Sequence, residues 1–295
     1  MKKKLLILFM LFSIANVYAQ KVYHDGMLAR NQKCLIIDNN INVRSSPSTS
    51  AKKLYKVDAG DEVTILERCT EEMFVEGAWA NWYKITCWQG EGYILGRWMT
   101  SIYKDCDLQY GYAKNDYIAC QFFFRENGNY GFDSGEYIGE DIFFIRQKKV
   151  TKLEGISLIK NKTYSIPCTE ILIEQETGLK TKEPAVMFIR NFGYGAGDVI
   201  ECNVCILSDE KILTEICSVS AFWEVPAFKN YEVIFPDVSF DVYNKKWQSL
   251  DLLERGKSNE IILICKDQEV DYSGNVIKST EKKEVFYWNG TTAAK

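Results

Sequence analysis

Along most of this chain, apolar and polar residues alternate over short runs separated by turn residues. Ile41-Asn42-Val43-Arg44 alternates and breaks at Ser45-Ser46-Pro47-Ser48. Asp61-Glu62-Val63-Thr64-Ile65-Leu66 alternates after the turn Ala59-Gly60-Asp61. A period of two is the pattern of a strand with one buried face. Cys34-Leu35-Ile36-Ile37 is a continuous apolar run and reads as a further short strand. Trp82–Cys87 and Tyr93–Leu95 flank the turn Gln89-Gly90-Glu91-Gly92 and read as a hairpin. Five short strands between residues 33 and 101, with no helical period, predict a small barrel.

The same pattern continues from residue 102 to residue 295. Strand-like runs fall at Tyr117–Phe124, Asp141–Ile145, Ile171–Glu174, Ala185–Ile189, Tyr231–Phe235, Ile261–Cys265 and Val285–Trp288. Val199–Leu207 and Ile212–Val219 flank Ser208-Asp209-Glu210-Lys211 and read as a hairpin, and Trp288-Asn289-Gly290-Thr291 reads as a strand end with a tight turn. Ser249–Arg255 is the one helix candidate, with Ser249 as N-cap and Gly256 as stop. The fold class is therefore all-β: a small barrel, then a larger, mostly antiparallel β domain of sandwich or propeller-like form.

Four motifs inside the first region fall in a recognisable order. They are Asn42-Val43-Arg44-Ser45-Ser46-Pro47-Ser48, Gly60-Asp61-Glu62-Val63, Trp82-Tyr83-Lys84-Ile85 and Gly92-Tyr93-Ile94, with Arg97-Trp98-Met99 where the barrel would close. Residues 33–101 thereby resemble the bacterial SH3-like (SH3b) domain. The stretch Cys69–Asn81 departs from that pattern, being longer than a plain hairpin loop. Asp251, Gly256, Glu260, Ile261, Ile262 and Tyr287-Trp288-Asn289-Gly290 faintly resemble degenerate FG-GAP propeller repeats. Leu253 and Arg255 there replace oxygen ligands that a calcium loop needs.

The N-terminus changes the picture of where the chain works. Lys2, Lys3 and Lys4 precede the apolar run Leu5–Ile14, and Val17-Tyr18-Ala19 supplies small residues at a cleavage site. The run is too short to span a bilayer, which takes roughly 20 residues. Residues 1–19 thus read as a signal peptide, residues 20–32 as a polar lead-in, and the mature protein as periplasmic or secreted, without stable membrane insertion. Removing Lys2, Lys3 and Lys4 takes Lys plus Arg from 36 to 33 against 40 Asp plus Glu, so the mature chain stands at −7. The excess lies in residues 102–295, and an acidic surface of this kind argues against nucleic acid as a partner. The ten cysteines permit either disulfides or buried free thiols.

Candidate chemistry is narrowed most by histidine. His24 is the single one, in the lead-in, where it reads as exposed. Residues 102–295 hold none, so Cys-His, Ser-His-Asp and multi-histidine zinc sites cannot be completed there. Carboxylate-pair hydrolysis survives this argument, and Glu136, Glu140, Asp141, Asp198 and Glu201 lie near loops. Cys202-Asn203-Val204-Cys205 has redox spacing, but its alternation as a strand puts the two thiols on opposite faces. Gly193–Asp198 leads into a strand and reads as a hairpin loop, not a phosphate cradle. No cofactor and no metal site is expected.

Aromatic residues are dense in the barrel, and about half of those on a strand face outward. Arg44, Trp79, Trp82, Tyr83 and Tyr93 are the candidate ligand-binding residues of a groove. The SH3-like resemblance implies a cell-wall polymer, peptidoglycan, or a protein peptide as ligand. The expected function is that of an exported, non-enzymatic binding protein. The alternative is a His-independent cell-wall hydrolase using paired carboxylates in residues 102–295.

Overall fold

The computed structural model describes residues 21–24, 28–106, 116–127, 131–153, 168–181, 183–194, 197–208, 212–224, 226–251, 255–273 and 275–295. The leader, the Gln20 cleavage point, the turn residues 209–211 and residues 252–254 of the calcium-like loop lie outside them. In chain order the strands are β1 (Val22–Tyr23), β2 (Lys33–Ile36), β3 (Ile41–Arg44), β4 (Lys53–Val57), β5 (Glu62–Val75), β6 (Ala78–Cys87), β7 (Gly90–Leu95), β8 (Met99–Thr100), β9 (Ile102–Asp105), β10 (Tyr117–Asn127), β11 (Gly131–Arg146), β12 (Lys149–Lys152), β13 (Glu170–Glu174), β14 (Ala185–Tyr194), β15 (Gly197–Ser208), β16 (Ile212–Glu224), β17 (Ala227–Ile234), β18 (Val238–Asp241), β19 (Lys246–Ser249), β20 (Glu260–Val270), β21 (Val276–Trp288) and β22 (Ala293–Ala294). The protein is nearly all β, as its alternation requires.

Among the described residues the strands form two sheets, of twelve and ten strands. The first curls through β8, β2, β5, β6, β7, β3 and β4 to make the barrel, and continues through β1 into β10, β11 and β12. The barrel core gathers Cys34, Ile36, Val43, Val63, Ile65, Tyr83, Ile85, Ile94 and Met99. Leu35 and Ile37 point the other way and pack with Ala59, Tyr117, Ala119, Phe143 and Ile145. That is why β2 has no polar alternation: both of its faces are covered.

The second sheet runs β13-β14-β15-β16-β17-β20-β21-β22, with β18 and β19 branching from β17. Its strands β14 and β15 are again buried on both faces. Met187, Ile189, Cys202, Val204 and Ile206 enter one cluster, and Val186, Phe188, Cys205 and Leu207 enter another with Ile118, Cys120 and Phe144 of the first sheet. Cys202 and Cys205 therefore do lie on opposite faces. All ten cysteines are free thiols. Burial pushes Cys34, Cys106 and Cys217 up to about 12, which suppresses the reactive thiolate.

The helix expected over Ser249–Arg255 is corrected where the segment is described: Ser249 closes strand β19, opposite Val238, and Leu250, Asp251 and Arg255 are not helical, while residues 252–254 lie outside the described residues. The Asn-Gly turn near the C-terminus is present, with Asn289 Oδ1 accepting from the backbone N–H groups of Thr291 and Thr292, both at 2.9 Å. No helix among the described residues is long and apolar enough to cross a membrane.

Candidate binding cleft

The stretch Cys69–Asn81 is not a loop. It is the upper half of a long ribbon made by β5 and β6, closed by the two-residue turn Glu76-Gly77. Both turn residues have positive φ, 47° and 88°, the conformation that matches the twist of a tight hairpin. Below this tip the register slips between Arg68 and Glu72, so the ribbon bulges where it leaves the barrel.

The bulge positions Trp82. It packs with Ala80 and Leu95, flanked by Met73, Tyr93 and Trp98, outside the barrel core. Trp98 comes from the short 3-10 turn Gly96–Trp98. Arg97 of that turn lies 5.1 Å from the Trp98 ring and forms an ion pair with Glu76 at the ribbon tip, 2.5 Å away. Ribbon and turn are thereby held together. On the third side, β3 alternates Val43 into the core and turns Asn42 and Arg44 outward. Arg44 Nη1 donates to Ala51 O at 2.9 Å and Ser45 N to Lys52 O at 2.9 Å, which fixes the intervening loop.

These three elements enclose a cleft of about 210 Å³, lined by Asn42, Arg44, Thr49, Met73, Trp82 and Trp98 among others. Its wall depends on one glycine. A Cβ on Gly92 would lie 2.4 Å from Val43 Cγ1 and 3.0 Å from the Arg44 carbonyl, so only glycine lets β7 approach β3 this closely.

Of the expected groove residues, Arg44 and Trp82 meet at this cleft, although Trp82 is only 5 % exposed. Tyr93 is half-buried beside Trp82 and does not line it. Tyr83 is 0 % exposed, in the barrel core. Trp79 stands elsewhere on the ribbon, edge-on to Phe74 at 5.6 Å and under the Lys21 ammonium at 4.6 Å. Met73 and Trp98 were not singled out as binding residues from sequence. Neither adjoins Arg44 or Trp82 in the chain; the ribbon's fold brings Met73 there and the 3-10 turn brings Trp98.

His24 is also corrected. It is 3 % exposed, because β1 docks between β6 and β10. His24 N donates to Trp79 O at 2.9 Å, its Nε2 lies 2.9 Å from Val75 O, and its ring packs on Phe123. Lys21 and Tyr23 both bond Glu72 of the ribbon. Burial, and next the Arg97 charge, hold the imidazole below its ordinary value of 6.5, against opposing bonds and charge from Val75 and Glu76. The unfolded chain then takes up the proton more readily. The stabilisation is complete above pH 6.5 and declines as the pH falls below it. Urea midpoints of the protein and of His24→Gln should therefore converge on going from about pH 7.5 to about pH 5. A constant gap would exclude a neutral buried imidazole.

The candidate carboxylates are occupied differently. Glu140 pairs with Arg190 at 2.8 Å and Asp141 with Lys152 at 2.7 Å, on opposite faces of β11. Burial raises Glu201, while Arg190 opposes the shift. Asp198 is exposed, and the Glu136 side chain lies outside the described residues. Among the described residues no group of three or more His, Cys, Asp or Glu side chains could hold a metal ion. No curated protein and no solved structure matches the chain. The barrel, over residues 39–100, matches the family model of the bacterial SH3 domain.

Proposed function

We propose that this protein is exported and binds a cell-envelope ligand, peptidoglycan or a protein peptide, at the cleft between Arg44, Trp82 and Trp98, without catalysing a reaction on it. The carrying observation is the convergence of a fixed loop, a ribbon and a 3-10 turn around two indoles and a guanidinium. The match to the bacterial SH3 domain supports a wall or peptide ligand. The cleft's volume suits one side chain or a short peptide, with the remaining N–H donors of Arg44 placed for a carbonyl or carboxylate. Residues 33–101 carry eight basic and nine acidic side chains, so binding is expected to depend weakly on salt. We place the boundary between the binding unit and the β-rich domain, residues 102–295, near Ser101.

The test is co-sedimentation of the purified protein with peptidoglycan, with released soluble fragments followed in parallel. Trp98→Ala is expected to weaken binding by about 2 kcal/mol or more, as for a central aromatic anchor. Arg44→Ala should weaken it too, and Trp79→Ala should leave it unchanged. Full binding by Trp98→Ala and Arg44→Ala, both folded, would remove the site from this cleft. Fragment release abolished by a single Asp or Glu substitution would favour the hydrolase reading instead.

A further inference from the structure

A second cleft shares no residue with the first. It lies at the seam where the barrel meets β10, β11 and β12, and its volume is about 650 Å³. Ala59–Glu62 forms one wall, and Gln147 and Lys148, at the turn between β11 and β12, form the other. Tyr117 lies between them. Trp88, from the two-residue turn between β6 and β7, also lines the cleft and is 78 % exposed. Tight turns favour small polar residues, so a tryptophan there gains nothing from local structure.

The walls are held before any ligand arrives. Asn39 Nδ2 donates to Lys148 O at 2.7 Å, and Lys148 Nζ reaches Asp58 at 3.0 Å, joining the barrel to the β11–β12 turn. Asp58 N donates to Asp61 Oδ2 at 2.9 Å, and Tyr103 Oη to Glu62 Oε1 at 2.6 Å. Gly60, at φ +87°, keeps the wall close to Tyr117, whose Cε2 would be 3.5 Å from an added Cβ.

The chemistry is an exposed indole at a cleft lined by acceptors and donors of both kinds: the Asp61 and Glu62 carboxylates, the Gln147 amide and the Lys148 ammonium. A phosphate would meet Asp58, Asp61 and Glu62. A simple cation would find Lys148 already bound to Asp58. A pyranose has apolar C–H faces for the indole and ring hydroxyls that both donate and accept. The volume falls within the roughly 300–1,000 Å³ usual for small-ligand sites. We propose that this seam cleft is a saccharide-binding site, with Trp88 as its stacking platform and Asp61, Glu62 and Gln147 as hydroxyl partners.

The proposal stands apart from the cleft at Trp98, and calorimetry on the full chain separates the two. The probes are chitotetraose, a tetramer of N-acetylglucosamine, maltotetraose and tri-lysine. At least one saccharide is expected to bind. Trp88→Ala should weaken it about tenfold or more, as for loss of an aromatic anchor. Trp88→Tyr should retain part of the affinity, and Glu62→Gln, which keeps the acceptor for Tyr103, should lower it. Trp79→Ala, on the ribbon and lining neither cleft, should leave it unchanged. Absence of heat with both saccharides, or saccharide binding indifferent to Trp88→Ala, would overturn the assignment. So would tri-lysine binding through Trp88 in place of saccharide.

Discussion

Arg190→Met is expected to lower the stability of the protein by about 3–5 kcal/mol, the range for removing one member of a buried ion pair. The side chains of Arg190 on β14 and Glu140 on β11 are each 3 % exposed, and their 2.8 Å pair joins the two sheets. The guanidinium also donates to Asn203 Oδ1 at 2.6 Å, and Asn203 Nδ2 donates onward to Glu215 at 3.0 Å. Methionine fills similar space, so the cavity is small, but the Glu140 carboxylate is left facing the Cys120 thiol, 3.7 Å away. The double variant Glu140→Gln, Arg190→Met should recover much of the loss, because it removes the charge as well as its partner. Urea unfolding followed by circular dichroism measures both. A loss under about 1 kcal/mol in the single variant would place this pair among exposed ion pairs in its energetic weight.

Tyr83→Ala should cost a similar amount, about 3–5 kcal/mol, the range for truncating a large buried aromatic side chain. Tyr83 is fully buried among Cys34, Ile36, Val63, Ile85 and Ile94. Its substitution opens a cavity that rigid strands close only in part. Any loss of ligand binding in this variant should track the unfolded fraction and recover when folding is restored by cooling or osmolyte. Normal urea unfolding combined with lost binding would return Tyr83 to a groove.

Tyr83 also shows how far the residues could be read. Its neighbours Trp82 and Lys84 must face away from it, so the alternation was visible, but which face closes the barrel was not. Ile41–Arg44 and Asp61–Leu66 were legible because each buries one face. Lys53–Val57 was not picked out, because its alternation is carried by lysines and a tyrosine on an exposed edge. The ribbon Cys69–Asn81 read as a loop because Glu76-Gly77 lacks the Asn-Gly or Asp-Gly signal of a tight turn. Of the cleft, Arg44 and Trp82 were found through local pattern. Met73 joins them through the register slip at Arg68–Glu72 and Trp98 through the 3-10 turn after β7, neither of which a local pattern encodes.

The docking of β1 has a consequence for how the chain assembles. Val22 faces Arg125, and Tyr23 lies between Trp79 and Phe124. Synthesis makes this segment before β6 and β10, yet it becomes an interior strand only once both exist. Pairings this distant in sequence are slow to form. The second sheet differs, since β13 to β17 are successive neighbours that can zip as each emerges. Until β10 arrives, the ribbon tip keeps its Trp79 carbonyl side open, an unfinished edge waiting for an earlier-made strand to return to it.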